Sequence, residues 1–337
     1  MDRKLVLLLV AAALVAGVTG CGEAPDGADH DGVRVGMVFD VGGKGDKSFN
    51  DSAYRGLLLA ADELGVTFTE FEPGQDADRE TGLRKLAQSG YDLIIGVGFL
   101  FSDSIRSVAA DYPETKFACV DYDVRPDETL PPNLAGLTFR EEEGSFLVGV
   151  LAGEFTKTDR IGFIGGMDIP LIHRFEAGFV AGAEYANPRV STTVAYAGST
   201  PQAFADPAKG KELALLQYGR GVDVIYHASG STGNGVIEAA RETGRYAIGV
   251  DSNQNYMAPG HVLTSMVKRV DNAVYMIVKS VVERNFEGGV REFGLEDNGI
   301  GYAVDQYNEA LLTKEMITAV EEARAAIIAG EIDVPRE

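Results

Sequence analysis

Short apolar runs alternate with helix-periodic stretches along this chain, and the alternation is played through twice. In the first pass, strand-like runs at 33–39, 66–71, 92–97 and 117–120 are separated by helical patterns at 51–64, 81–88 and 102–110. A helical stretch at 141–155 leads into the second pass. Its strand-like runs are 160–164, 190–196, 222–226, 246–250 and 262–267, with helical patterns at 172–185, 208–217, 233–242 and 272–284. A late strand at 302–304 and a helix at 313–329 close the chain. Strands separated by helices pair in parallel through crossovers, which is the α/β arrangement. Near-continuous apolar runs such as Leu93-Ile94-Ile95 fit a sheet covered on both faces. Two consecutive units of this kind predict two similar lobes with a cleft between them. The roughly 305 residues after position 32 are too many for one core and suit two.

The N-terminus carries different information. Arg3 and Lys4 precede an uncharged apolar run at 5–18, the layout of a secretory signal. The run is shorter than the ~20 residues a membrane span needs. It ends in Val18-Thr19-Gly20-Cys21, small residues before a cysteine, which resembles a bacterial lipobox with Cys21 as the lipidated residue. Residues 1–20 are therefore expected to be a lipoprotein signal peptide. Residues 21–32, polar and without periodicity, are expected to be a flexible tether.

Composition excludes several functions. A net charge of −21 speaks against nucleic-acid binding, which needs a basic footprint. With two cysteines, Cys21 and Cys119, no disulfide framework is possible, and four scattered histidines do not suggest a zinc site. No metal and no cofactor is expected. Cys119, in an apolar strand, reads as a small core residue.

Ligands of open α/β sheets bind beyond the carboxyl ends of the strands, so the loops after each strand are the places to search. Asp40 ends the first strand and opens a glycine-rich loop that runs to Asp46-Lys47-Ser48-Phe49-Asn50. A phosphate loop would have glycine before the Lys-Ser pair; Asp46 stands there instead and would repel phosphate. Phe49 and Asn50 could meet a ligand, or could serve as helix staple and cap. Asp121 follows the fourth strand of the first unit, and Asp251 follows the strand at 246–250. In the second unit, Phe175 enters a helix, and Phe204 sits in the 200–207 loop as a weaker signal. The loop from His227 to Gly235 feeds a helix N-terminus that suits an anion or a hydroxyl oxygen. Lys268 ends the strand at 262–267, a position where lysine is ordinarily solvated. Asp40, Asp121 and Asp251 thus converge from both units. Acceptor-only carboxylates suit a neutral, hydroxyl-rich ligand, and aromatic rings add a stacking surface for a base.

These residues also carry a resemblance. Asp46-Lys-Ser-Phe-Asn50, Arg174-Phe-Glu-Ala-Gly178, Asp206-Pro-Ala-Lys209, Gly230-Ser-Thr-Gly-Asn-Gly235, Gly249-Val-Asp251 and Leu263-Thr-Ser-Met-Val-Lys268 occur in an order that resembles the basic membrane protein, or PnrA-like (TmpC-like), family of ABC transporter substrate-binding lipoproteins. The resemblance covers essentially the whole chain. It implies a type I periplasmic-binding-protein fold of two Rossmann-like lobes: 33–138 with about 264–288, and about 139–263 with about 289–330. It implies a non-catalytic protein outside the cytoplasm, anchored through Cys21, that binds a nucleoside, purine in well-studied members, and delivers it to a membrane permease. It further implies that Asp40 and Asn50 contact the base or sugar, Phe49 stacks on the base, Asp121 contacts the base, Gly230 offers backbone, and Asp251 and Lys268 hold ribose hydroxyls. Phe175 is the candidate second ring. The His227-Ala-Ser-Gly230 loop departs from the bulkier apolar forms of the family.

Three alternatives follow from the same residues. The same fold could hold a sugar, an autoinducer or a purine base. A nucleoside hydrolase would need clustered carboxylates around an activated water, whereas here they are spread over both units. A ligand sensor could use the same lobes with a membrane receptor as partner.

Overall fold

The computed structural model describes residues 32–74 and 77–337. The expected signal peptide, Cys21 and nearly all of the expected tether lie outside the described residues.

The chain enters at β1 (Arg34–Val38), whose apolar run is buried from its second residue onward. It continues through α1 (Phe49–Leu64), β2 (Thr67–Phe71), α2 (Ala77–Gln88), β3 (Leu93–Val97), α3 (Ser102–Asp111), β4 (Lys116–Val120) and β5 (Leu134–Phe139). Helix α4 (Glu141–Phe155) leads into β6 (Arg160–Met167), α5 (Pro170–Ala186), β7 (Ser191–Gly198), α6 (Pro207–Gly219), β8 (Val224–Ala228), α7 (Thr232–Thr243), β9 (Tyr246–Asp251) and β10 (Val262–Lys268). Helix α8 (Val270–Val282), β11 (Gly289–Phe293), β12 (Ile300–Tyr302) and α9 (Lys314–Ile328) complete it.

Two six-stranded sheets result, in the orders β11-β5-β4-β3-β1-β2 and β12-β10-β9-β8-β6-β7. Position by position the two orders correspond: β1 with β6, β3 with β8, β4 with β9, β5 with β10. Every pairing is parallel except β10 with β12, as crossover helices require. Strands β3 and β5 are buried along their full length, the mark of strands covered on both faces.

Two strands of the first sheet were not expected. Strand β5 follows Pro131 and Pro132 and carries Ala135 and Gly136, so its apolar signal is diluted. Strand β11 is a short edge strand with alternating exposure. Sheet membership also departs from the lobe boundaries read from the sequence. Strand β10 pairs along its length with β9 in the second sheet, so Thr264–Lys268 belongs there, and β11 pairs with β5 in the first. The chain therefore passes between sheets after β5, after β10 and after β11. Strand β11 carries two charged residues in five and β12 has three residues, so neither has an apolar run that would reveal this.

Candidate functional site

The first loop positions its side chains through Asp46. Its buried carboxylate accepts the backbone N–H groups of Ser48, Asn50 and Asp51 at 2.8, 2.8 and 3.1 Å, satisfying the open donors at the start of α1. Asp46, not Asn50 or Asp51, is thus the capping group. Asn50 is left to accept from the Asp40 N–H at 3.1 Å. Phe49 becomes the first residue of α1 and lines a cavity between the two sheets.

That cavity has a volume of about 70 Å³. Asp40, Phe49, Asn50, Asp121, Phe175, Gly230, Asp251 and Lys268 all line it, so the eight residues singled out in the sequence are brought together. Asp46, Phe99, Phe204, Ala228 and Ser229 join them. Four phenylalanines thus border the space, and Phe99 and Phe204 meet edge-on across it, their centroids 6.4 Å apart. His227 does not line it. Its ring lies wholly buried behind Ala228, where Nε2 meets Gln254 Oε1 at 3.1 Å, and burial lowers its pKa to about 4.

Asp121 and Asp251 occupy equivalent places, at the ends of β4 and β9, and both adopt left-handed backbone conformations (φ 57° and 61°). Aspartate tolerates this region better than most residues, and such strain gathers at functional sites. Asp40 depends on Gly98. A Cβ at Gly98 would come within 2.1 Å of Asp40 Oδ2, and Gly98 has φ +107°, so only glycine lets the carboxylate lie there.

Lys268 is not solvated. It is 1% exposed; its Nζ lies 2.7 Å from Asp121 Oδ2 and 2.9 Å from Glu141 Oε1. The rings of Phe139, Phe49 and Phe175 surround it at 4.9, 5.4 and 5.5 Å. Burial alone would discharge this lysine, but Asp121, Glu141 and Asp251 outweigh it and hold the ammonium charged. The carboxylates are pushed the other way. Burial raises Asp40 to about 7 despite Arg79, and raises Asp251 to about 7 despite Lys268 and Ser48. Asp121 rises to about 6, because burial and repulsion from Glu141 exceed the pull of Lys268. Asp251 is also tied to the first half of the molecule: Ser48 Oγ donates to its Oδ2 at 2.6 Å, and Ser252 Oγ donates to the Ser48 carbonyl at 2.6 Å.

A carboxyl raised by burial stabilises the fold while it is protonated, and that contribution is lost as pH rises through the folded value. Asp40→Asn keeps the Val41 N–H contact at 2.7 Å without the charge. The variant is therefore expected to melt a few degrees above the parent at pH 8, with the gap closing at pH 5, as read by differential scanning calorimetry. Equal melting temperatures at pH 8 would refute the strained carboxyl.

Among residues the sequence reading did not single out, Phe99 lies just beyond β3, after Gly98, and obeys the same strand-end rule. Glu141 lies just after β5, and with β5 unrecognised it read only as the start of a helical stretch. Among the described residues no group of three or more His, Cys, Asp or Glu is placed to hold a metal ion, and no helix is long and apolar enough to cross a membrane.

Comparison with known proteins settles the family. The model for "ABC transporter substrate-binding protein PnrA-like" matches residues 33–337. The chain belongs to the PnrA-like family of ABC transporter substrate-binding proteins. Its PnrA-like relatives include the "ABC transporter nucleoside-binding protein BmpA" of Lactococcus lactis, 33% identical over 99% of both chains. "Basic membrane protein A1" of Borrelia garinii is 34% identical over 99% of this chain and 96% of that one. A solved ABC transporter solute-binding protein from Aeropyrum pernix superposes with a TM-score of 0.82 at 33% identity, covering 90% of this chain and 94% of that one. PnrA-like proteins are binding components of ABC transporters and not enzymes, they act outside the cytoplasm, and the fold is of the periplasmic-binding type I kind.

Proposed function

We propose that this PnrA-like protein captures a nucleoside, a purine nucleoside in particular, between its two halves and hands it to an ABC permease while anchored through lipid on Cys21. The observation that carries the reading is the composition of the cavity at these strand ends. Aromatic rings from both halves stand beside hydroxyl-binding groups from both halves. A nucleoside has a flat π-face and a polyhydroxylated sugar, and needs both. Base–aromatic stacking is worth about 1–3 kcal/mol per base. Asp251 and Lys268 are assigned to the ribose, Asp40, Asn50 and Asp121 to the base, and Phe49 to stacking, with Phe175 and Phe204 as facing rings. The Gly230 backbone, in a left-handed turn before α7, offers polar contacts to the ligand. Closure of the halves around the ligand would shift the population toward the form that docks on the permease. The nucleoside-binding relative from Lactococcus lactis supports the same ligand class.

Calorimetric titration of the chain with purine and pyrimidine nucleosides, the free bases and a set of pentoses and hexoses tests this. Tight binding is expected for purine nucleosides, and at least tenfold weaker binding for the free bases. A sugar that binds where every nucleoside fails would overturn the proposed ligand. Turnover of the bound nucleoside would overturn the binding role.

A further inference from the structure

Glu141 lies outside the cavity, yet it is the second acid on the buried lysine. It is the first residue of α4, is 1% exposed, and borders a neighbouring groove rather than the cavity itself. Its Oε1 accepts from Lys268 Nζ at 2.9 Å, and its Oε2 lies 3.6 Å from the Arg174 guanidinium of α5. Charges thus alternate from Arg174 through Glu141 and Lys268 to Asp121, linking α5, α4 and β10 of one half to β4 of the other.

The backbone carrying Glu141 is locked. A Cβ at Gly144 would lie 2.1 Å from Ile300 Cγ2, and one at Gly178 would lie 2.2 Å from the Glu142 carbonyl. The first turn of α4 is therefore seated directly on β12 and α5, with no room to drift. An ammonium has three donors. Asp121 and Glu141 take two of them.

We propose that Glu141 is a positioning residue for the ligand: it fixes Lys268 from behind, so that the ammonium is shared between two acids and its third N–H is aimed at a ligand hydroxyl. This rests on the nucleoside reading for the identity of that hydroxyl, but the charge-sharing itself does not. The groups facing Asp121 are Lys268 on β10, Glu141 on α4, Arg174 on α5, Asp40 after β1, Asp251 on β9 and Cys119 on its own strand. Of these, Lys268 and Arg174 favour its charged form, and Glu141 opposes it.

The test uses Glu141→Gln in the full chain, with two readouts. In the ligand-free protein, the Asp121 carboxyl is followed by carbon NMR from pH 4 to 9. Removing the neighbouring negative charge is expected to shift its titration to lower pH than the parent's. An unchanged midpoint would overturn the proposal whatever the ligand is. In the second arm, ribonucleosides are compared with their 2′-deoxy and 3′-deoxy counterparts by calorimetry. Glu141→Gln is expected to weaken ribonucleoside binding by on the order of tenfold, with little further loss for the deoxy analogue that lacks the Lys268 partner. Equal losses for all three would mean a merely structural residue and would also overturn it. If the parent binds no nucleoside, the proposed function fails while the carboxyl titration still decides the role of Glu141. Should Glu141→Gln not fold, Glu141→Asp carries the same titration, with a smaller shift in the same direction expected and an unchanged midpoint counting against the proposal.

Discussion

Replacing Lys268 with methionine is expected to destabilise the fold by about 3–5 kcal/mol at pH 8, the cost of removing one partner from a buried ion pair. Methionine matches the lysine stem in length and keeps contact with Phe49, Phe139 and Phe175, so apolar packing is largely preserved. What is lost is the charge that Asp121 and Glu141 share, each with an oxygen within 3 Å of Nζ. Both acids are nearly inaccessible to water, and only the more distant Arg174, 3.6 Å from Glu141 Oε2, is left to offset part of their charge. Asp121 already sits at about 6, and without the ammonium it moves higher still. The penalty is therefore expected to shrink at pH 5, where Asp121 takes up a proton at little cost. Urea unfolding at the two pH values measures this as a difference in midpoint at unchanged slope. A companion variant, Asp121→Leu with Glu141→Met and Lys268→Met, removes the whole charged set and should recover much of the loss, because apolar replacements of buried ion pairs are often neutral or better. A penalty below about 1 kcal/mol for Lys268→Met alone, at both pH values, would show that the cluster does not depend on its cation.

The residues of this cluster show what the sequence could and could not reveal. Asp40, Asp121 and Asp251 were legible because each directly follows an apolar run, and the end of a parallel strand is where a doubly covered sheet opens to ligands. Their convergence on one cavity follows from two sheets with the same strand order. The state of these groups was not legible. The acids read as ionised, and Lys268, though assigned to ribose hydroxyls, stands where lysine is ordinarily solvated; burial instead lifts the acids toward neutrality and encloses the lysine. Burial is set by which halves face one another, and no local pattern encodes that. Asp46 illustrates a different loss. Its position in a glycine loop argued against phosphate, but its positive task, capping α1 so that Phe49 and Asn50 enter the cavity, depends on a loop shape visible only in three dimensions. The edge strand β11 was hard for a third reason: it carries charged Arg291 and Glu292 between Val290 and Phe293, so no apolar run marks it, and its sheet membership is decided by the chain crossing between halves.

The second large effect concerns protons and the ligand together. If Asp251 accepts hydroxyls from the sugar, it must be ionised, because a carboxylate offers acceptors only and a neutral acid presents a donor in its place. In the empty cavity Asp251 sits at about 7, raised by burial against the pull of Lys268 and Ser48. Ligand and proton then compete for one group. Affinity for a nucleoside is expected to be flat above pH 8 and to fall below pH 7. If only the ionised form binds, the decline approaches tenfold per pH unit, or about 1.4 kcal/mol. Binding near pH 7 should release protons, seen as an observed enthalpy that depends on the ionisation heat of the buffer. Asp251→Asn isolates the cause. The amide keeps an acceptor for Ser48 Oγ but cannot become a full anion, so affinity at pH 8 should drop on the order of a hundredfold through the loss of charge-assisted bonds. The slope below pH 7 should flatten at the same time, leaving what Asp40 and Asp121 contribute. A variant that binds weakly yet keeps the parent's full pH profile would assign the proton to another group, and one that binds as tightly as the parent at pH 8 would remove Asp251 from the site altogether.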